Sequence, residues 1–284
     1  MAYGSPERIE DIRPYLEDIR EGRPVSDEAV AELTERYRRI GGRSPLDEIT
    51  ERQRAALEQE LGMPVYVGMK HWRPRIADVV EAALEGGAER IIAIVLAPHY
   101  SALSIAGYRE RLEAALADRA ELRFVESWHD QPEFLDVLAE RVRGTDAHVV
   151  FTAHSLPERI LDMGDPYRDQ LLETSRLVAE RAGLEHWSFA FQSASPTGEP
   201  WLGPDILEEL DELHFRGVRR VLVCPVGFVS DHLEILWDLD VEARERAAEL
   251  GLELDRIKSL NDDADFIHAV AELVQHALRV PSPR

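Results

Sequence analysis

The stretch Val149-Val150-Phe151-Thr152-Ala153-His154-Ser155-Leu156-Pro157 decides the fold. A short apolar, β-branched run that ends in a polar turn and a proline reads as a buried strand delivering its last residues to the rim of a sheet. Similar runs recur on both sides. Val65-Tyr66-Val67, Ile91 to Leu96 and Leu122 to Val125 precede it, and Trp187 to Phe191, Val221 to Val223 and Leu252 to Ile257 follow. A helical pattern succeeds each, so the chain alternates strand and helix and should build parallel sheets covered by helices on both faces. A boundary near 143–147 divides it into units 1–145 and 146–284, with a last helix over 262–278 returning to pack on the first.

The two halves are unequal. Four strands are expected after residue 145, near 149, 189, 222 and 254, but only three before it, near 66, 93 and 124. Ala2-Tyr3-Gly4-Ser5-Pro6 parallels Ala153-His154-Ser155-Leu156-Pro157, the turn that leaves a strand. The first strand of the first half is therefore missing from this chain. A start codon assigned about ten residues late is the expected cause, because leaving a buried ladder unpaired is costly.

Three helical patterns, Glu7 to Arg20, Asp27 to Ile40 and Leu46 to Leu61, crowd in before the next strand and suggest an arm over a cleft. Gly41-Gly42-Arg43-Ser44-Pro45 separates the last two and sets Ser44 near a helix start, where hydroxyl and amides can hold an anion. Arg36, Arg38, Arg39 and Arg43 fall within eight positions with no acid between them. They would suit a carboxylate-bearing ligand, although pairing with neighbouring acids is the plainer role for such arginines.

Composition removes several classes. The 284 residues are 44% hydrophobic and 31% charged, enough for a packed core, and no stretch approaches eighteen uninterrupted apolar residues, so a membrane span is not expected. The opening residues make no secretory leader, so a cytoplasmic place is expected. With 33 basic against 55 acidic residues the net charge is -22, which repels nucleic acid and anionic lipid. Lys70 and Lys258 are the two lysines, and Cys224 is the one cysteine, so a disulfide or a multi-thiolate metal site cannot come from this chain.

In open α/β sheets ligands bind beyond the carboxyl ends of strands. His154 falls there, although a turn histidine satisfied by local backbone is an equal reading of its position alone. The strand at Val221 to Val223 leads to Asp231-His232-Leu233-Glu234-Ile235-Leu236-Trp237-Asp238. Glu234, Asp238 and Glu242 are spaced four apart and form a slanting row on a helix. A solvated acidic face is the ordinary explanation, but Leu233, Ile235, Leu236 and Trp237 crowd Glu234, and a half-buried carboxylate needs a cation, proton or donor. Histidine and carboxylates without thiolates suit ferrous iron, cobalt or a labile zinc. Dinucleotide, P-loop and nucleophile-elbow motifs are missing.

Ala153-His154-Ser155-Leu156-Pro157, Trp201-Leu202-Gly203-Pro204-Asp205 and Pro225-Val226-Gly227-Phe228-Val229-Ser230-Asp231-His232-Leu233-Glu234 together resemble the three signatures of ferrochelatase, in order and across nearly the whole chain. The resemblance implies two Rossmann-like domains with parallel four-stranded sheets and a porphyrin cleft between them. It implies a lyase-type chelatase of haem biosynthesis that inserts ferrous iron and releases two pyrrole protons. His154 and Glu234 would hold iron or take protons, with Asp238 and Glu242 as an outer acidic path. Tyr3 is similar to the tyrosine axial to iron in the coproporphyrin III branch of Gram-positive bacteria, which favours coproporphyrin III over protoporphyrin IX. Arg20, Arg36, Tyr37 and Ser44 would hold the porphyrin, as would His129, which stands where many relatives carry tyrosine. Lys70-His71 and Pro98-His99-Tyr100-Ser101 also resemble cleft segments. Ferrous iron is then a substrate, no cofactor is permanently bound, an iron-sulfur cluster is precluded by the cysteine count, and a monomer is expected. Sirohydrochlorin metalation and a non-catalytic porphyrin carrier, the latter prompted by the missing strand, are the alternatives.

Overall fold

The chain alternates as its sequence patterning requires. The computed structural model describes residues 1–195 and 197–279. A 3-10 turn leads into α1 (Ile12–Ile19), and α2 (Asp27–Arg39) and α3 (Leu46–Leu61) complete an amino-terminal arm. Ser26 caps α2 by accepting from the Ala29 amide at 3.2 Å, which satisfies a donor the helix itself leaves open. There follow α4 (Ile76–Glu85), β1 (Arg90–Ile94), α5 (Ala106–Leu116), β2 (Glu121–Val125) and α6 (Pro132–Val142). Next come β3 (His148–His154), α7 (Arg159–Asp162), α8 (Tyr167–Ala182), β4 (Trp187–Gln192) and α9 (Ile206–Phe215). The last elements are β5 (Arg220–Cys224), a π-helix (Ile235–Ala243), α10 (Arg244–Leu250), β6 (Glu253–Arg256) and α11 (Ala264–Arg279).

The larger sheet is parallel throughout, in the order β4-β3-β5-β6. Its central strand β3 is buried from His148 to Ala153, as a strand covered on both faces must be. One face packs Phe151 with Phe134 and Leu138 of α6, Val178 of α8 and Phe266 of α11. The other packs Val150 and Val223 with Leu210 of α9 and with Ile235 and Leu239 of the π-helix. Although α6 precedes residue 145, its apolar face belongs to this core. The chain runs from β3 to β4 on one side and then returns to β5 on the other side of β3. Sequence order thus reverses between β3 and β5, and a crevice opens beyond their carboxyl ends. α11 lies against α3 and α6: Arg52 reaches Asp262 at 2.9 Å, His268 meets Glu60 at 2.8 Å, and Gln131 donates to the Ala269 carbonyl at 2.6 Å.

The first sheet departs from expectation. It holds two strands, β1 and β2, parallel and in register from Arg90 opposite Glu121 to Ile94 opposite Val125. Val65-Tyr66-Val67, expected as a strand, belongs to no strand, and a four-stranded first sheet is not formed among the described residues. The reason is physical: a strand exists only through its neighbour, and between this segment and β1 lies a gap. Only at the end of that gap does the chain bridge it, where Ala2 pairs with Met69 and the Met1 carbonyl accepts from the Leu96 amide at 2.9 Å. Among the described residues no helix is long and apolar enough to cross a membrane.

Candidate active site

Gly227 brings the two key loops together. After β5 the chain turns back against β3, and the Gly227 amide donates to the Thr152 carbonyl at 3.1 Å. A Cβ at residue 227 would stand 2.5 Å from the Ala153 Cβ and 2.9 Å from its Cα, so only glycine allows this approach. The result is that the segment carrying Glu234 runs directly beside the end of the strand carrying His154.

His154 Nε2 lies 3.6 Å from Glu234 Oε1. The imidazole is oriented from its other side, where Nδ1 donates to the Ser155 carbonyl. The Tyr167 hydroxyl donates to the His154 carbonyl at 2.9 Å and steadies the strand end. Burial works against charging His154, but the Glu234 carboxylate and the Ser155 carbonyl outweigh it and push the imidazole up to about 9. Burial likewise works against ionising Glu234, yet His154 and His232 hold its carboxyl well below the usual carboxylate range. His232 stands 3.4 Å from Glu234 Oε2, its ring fixed by the Ser230 carbonyl at 2.9 Å. Thus one carboxylate lies between two imidazoles, a donor set a divalent cation can use by displacing protons. Among the described residues no group of three or more such side chains is already arranged around a common point.

The acidic row continues behind Glu234, but on a π-helix rather than an α-helix. A turn wider than four residues reverses the slant of the row while keeping Asp238 and Glu242 along one side. Asp238 is buried, accepts from Ser193 Oγ and lies 3.4 Å from Gln192 Nε2. Burial first, and the Glu234 charge second, push its carboxyl up to about 6.

These groups open into a cleft of about 640 Å³ between the arm, the first sheet and the end of β3. Tyr3, Tyr37 and Ser44 line it along with His154 and Glu234. The Tyr3 ring packs against that of His71, 4.7 Å between centroids and tilted by 50°, and Asp18 holds His71 at 3.1 Å. The other residues expected to hold an organic anion are elsewhere. Arg20 is exposed at the end of α1 and donates to the Pro24 carbonyl at 3.1 Å. Arg36 pairs with Glu32 at 2.8 Å and lies over the Trp237 ring, facing the acidic row instead of the cleft lining. His129 is held by Ser127 at 2.9 Å and Glu173 at 3.1 Å and does not line the cleft.

Lys70, whose segment resembled a cleft segment in sequence, and Arg111, which the sequence did not single out, supply cations to the cleft. Both line the cleft. Lys70 Nζ donates to the Ser104 carbonyl at 2.9 Å and lies 4.9 Å over the Tyr108 ring, while Arg111 donates to the Gly107 carbonyl at 3.2 Å. Burial, then the Arg111 charge, lowers the Lys70 ammonium to about 8. Among the described residues neither forms an ion pair with a carboxylate, although most arginines of this acidic chain do.

The ferrochelatase family profile matches residues 1–278. A ferrochelatase from Deinococcus radiodurans is 45% identical over 97% of this chain and 93% of its own length. A coproporphyrin III ferrochelatase from Halalkalibacterium halodurans is 42% identical over 98% of this chain and 96% of its own length. Among solved structures, SirB from Bacillus subtilis with Fe3+ superposes with a TM-score of 0.64 at 14% identity, covering 82% of this chain and 89% of that one, a likeness of fold.

Two outcomes follow from the geometry. In Glu234→Gln the imidazole of His154 loses its main source of stabilised charge, so its titration by NMR drops from about 9 toward 6.5 or lower; a midpoint still near 9 contradicts the pairing. Gly227→Ala forces the loop off β3 and costs about 1–3 kcal/mol in urea unfolding. An unchanged midpoint means the loop tolerates the methyl group.

Proposed function

This chain belongs to the ferrochelatase family, and on that premise we propose that it inserts ferrous iron into coproporphyrin III, with His154 and Glu234 carrying the chemistry. The observation that supports the assignment of roles is the 3.6 Å approach of His154 Nε2 to Glu234 at the floor of the cleft. Iron, the substrate metal, needs an anionic group to replace part of its hydration, and the porphyrin must lose two pyrrole protons as its nitrogens bind. In the free site the Glu234 charge keeps His154 protonated. When iron binds Glu234, that charge is taken up by the metal, the imidazolium loses its partner and gives up its proton. His154 is thereby converted to a base at the moment a base is required. Asp238 and Glu242 extend negative charge behind Glu234 and would guide the dication toward it.

Tyr3 would face the metal from the side of the first sheet, while Tyr37 and Ser44 would bound the macrocycle beneath the arm. Coproporphyrin III carries four propionates where protoporphyrin IX carries two, so its recognition calls for more anion sites around the ring. Lys70 and Arg111, half-buried cations that among the described residues form no ion pair with a carboxylate, favour such a propionate at the β1 end of the cleft, although Glu21 and Glu110 also line it. The name of the Halalkalibacterium relative points to the same substrate.

Anaerobic incubation with ferrous iron and each porphyrin, followed by absorbance, tests this directly. Faster metalation of protoporphyrin IX than of coproporphyrin III overturns the substrate assignment. His154→Ala should lower kcat by roughly a hundredfold or more with porphyrin binding retained, in the range general base removal produces. Porphyrin binding lost with turnover per bound ring unchanged would contradict its role.

Lys70→Met should raise KM for coproporphyrin III roughly tenfold, the scale of one charged hydrogen bond, with kcat little changed. The sign with pH follows from the lowered ammonium. Below about pH 8 Lys70 is charged in the free protein, and above it binding must also take up a proton, so KM for coproporphyrin III rises with pH beyond about 8 in the wild type. This rise is absent in Lys70→Met. A wild-type slope retained in the variant assigns the titration to another group.

A further inference from the structure

One guanidinium holds both ends of the stretch that carries His232, Glu234 and Asp238. Arg256 closes β6, which pairs with β5 so that Arg256 lies opposite Val223, one residue before β5 ends. Its side chain therefore leaves the sheet on the face of Val223, the face the π-helix covers. There Nε donates to Asp240 Oδ1 at 3.0 Å and Nη2 to Asp240 Oδ2 at 2.7 Å, a fork on the π-helix, while Nη1 stands 3.2 Å from Asp231 Oδ1. The three side chains are largely covered, the arginine 11% exposed and each aspartate 23%.

The near end of the stretch is fastened to the turn that follows β6. Asp231 Oδ1 accepts from Ser259 Oγ at 2.6 Å, Oδ2 accepts from Asn261 Nδ2 at 2.9 Å, and the Asp231 amide donates to Asn261 Oδ1 at 2.8 Å. Asn261 adopts φ +46°, a left-handed backbone that asparagine tolerates, and its own amide donates to the Val229 carbonyl at 2.8 Å. From the arm, Gln53 of α3 donates to Ser230 Oγ at 2.9 Å and to the Asn261 carbonyl at 2.7 Å. At the far end, the fork on Asp240 joins the π-helix to this same frame.

Glu234 depends on that frame because the contacts of its carboxylate are long. His154 stands 3.6 Å away and His232 3.4 Å, and among the described residues no shorter bond holds the carboxylate. Its place is therefore set by its backbone. Arg256 acts on that backbone without entering the cleft: with Asp231 and Asp240 it lines a separate groove of about 480 Å³, none of whose lining residues lines the cleft.

We propose that Arg256 is a positioning residue of the metal site, closing residues 231–240 into a loop pinned at both ends and so setting Glu234 against His154. The inference rests on the proposed role of Glu234 in taking up iron. A largely covered ion pair of this kind is a weak source of stability beside apolar packing, whereas a planar fork on one carboxylate and a contact to a second fix direction as well as distance.

The test is Arg256→Lys, which keeps the charge and loses the fork. The kcat for metalation should fall roughly tenfold and KM for ferrous iron rise roughly tenfold, with KM for coproporphyrin III unchanged, because small displacements of a positioned group are costly. Arg141 lines the same groove, donating to the Lys258 carbonyl at 2.7 Å and pairing with Asp263 at 2.8 Å, but it holds nothing in 231–240. Arg141→Lys should therefore leave all three constants at their wild-type values. Equal losses in the two variants, a rise in porphyrin KM as large as that for iron, or wild-type constants in Arg256→Lys each overturn the proposal. Should Arg256→Lys fail to fold, Asp240→Asn takes its place: the same shifts support the proposal and wild-type constants refute it. Binding of Co2+ alone, followed by titration calorimetry without porphyrin, separates this inference from the activity. Glu234→Gln and Arg256→Lys should each weaken it roughly tenfold, the scale of one charged contact. If the wild type metalates neither porphyrin, the proposed function fails and the Co2+ comparison decides the placement alone, with weaker binding in Arg256→Lys supporting it and unchanged binding refuting it. A Co2+ affinity that Glu234→Gln leaves unchanged overturns the metal-binding role of Glu234 and this inference with it.

Discussion

The closeness of Gly227 to Ala153 is the constraint on which the active site depends. Two parallel neighbours, β3 and β5, end side by side, but strand spacing alone would leave their following loops free to diverge. A residue without a side chain at 227 lets the second loop lie on the first strand. The imidazole at one strand end and the carboxylate ten residues beyond the other are thereby brought within 3.6 Å. The crevice arises from topology; the meeting of its two principal side chains arises from that single close packing.

Within that frame the electrostatics are coupled rather than additive. Glu234 is shared by His154 and His232 and stands ahead of Asp238, whose own carboxyl rises partly because Glu234 is charged. The Ser155 and Ser230 carbonyls fix the two rings. Under the proposed role, a dication arriving at Glu234 would shift all of these equilibria together.

Much of this was legible from residues alone. Alternating apolar runs gave the second sheet nearly strand for strand, and the residues sought just after β3 and β5 do meet at one cleft. The segment at Val65 could not be judged locally, since its β-branched composition is that of a strand but among the described residues no strand pairs with it. Spacing of four could not distinguish a π-helix from an α-helix, because both keep such residues on one side. The arginines of the arm were assigned to the ligand by likeness of position, whereas in the fold Arg36 is engaged by Glu32 and Trp237 and Arg20 by backbone. Lys70 did leave a trace: it is one of two lysines in a chain that otherwise uses arginine. What sequence could not show was that it lies half-buried beside Arg111, hydrogen-bonded to a carbonyl and not to a carboxylate.

The cleft is assembled from two sources. Tyr3, Lys70, His71 and Arg111 reach it from the framework of the first sheet, while His154, His232 and Glu234 reach it from the second. Under the proposed roles, a substitution at Lys70 or Arg111 would alter the wall supplied by the first sheet while leaving the His154–Glu234 pair, held by the second, in place.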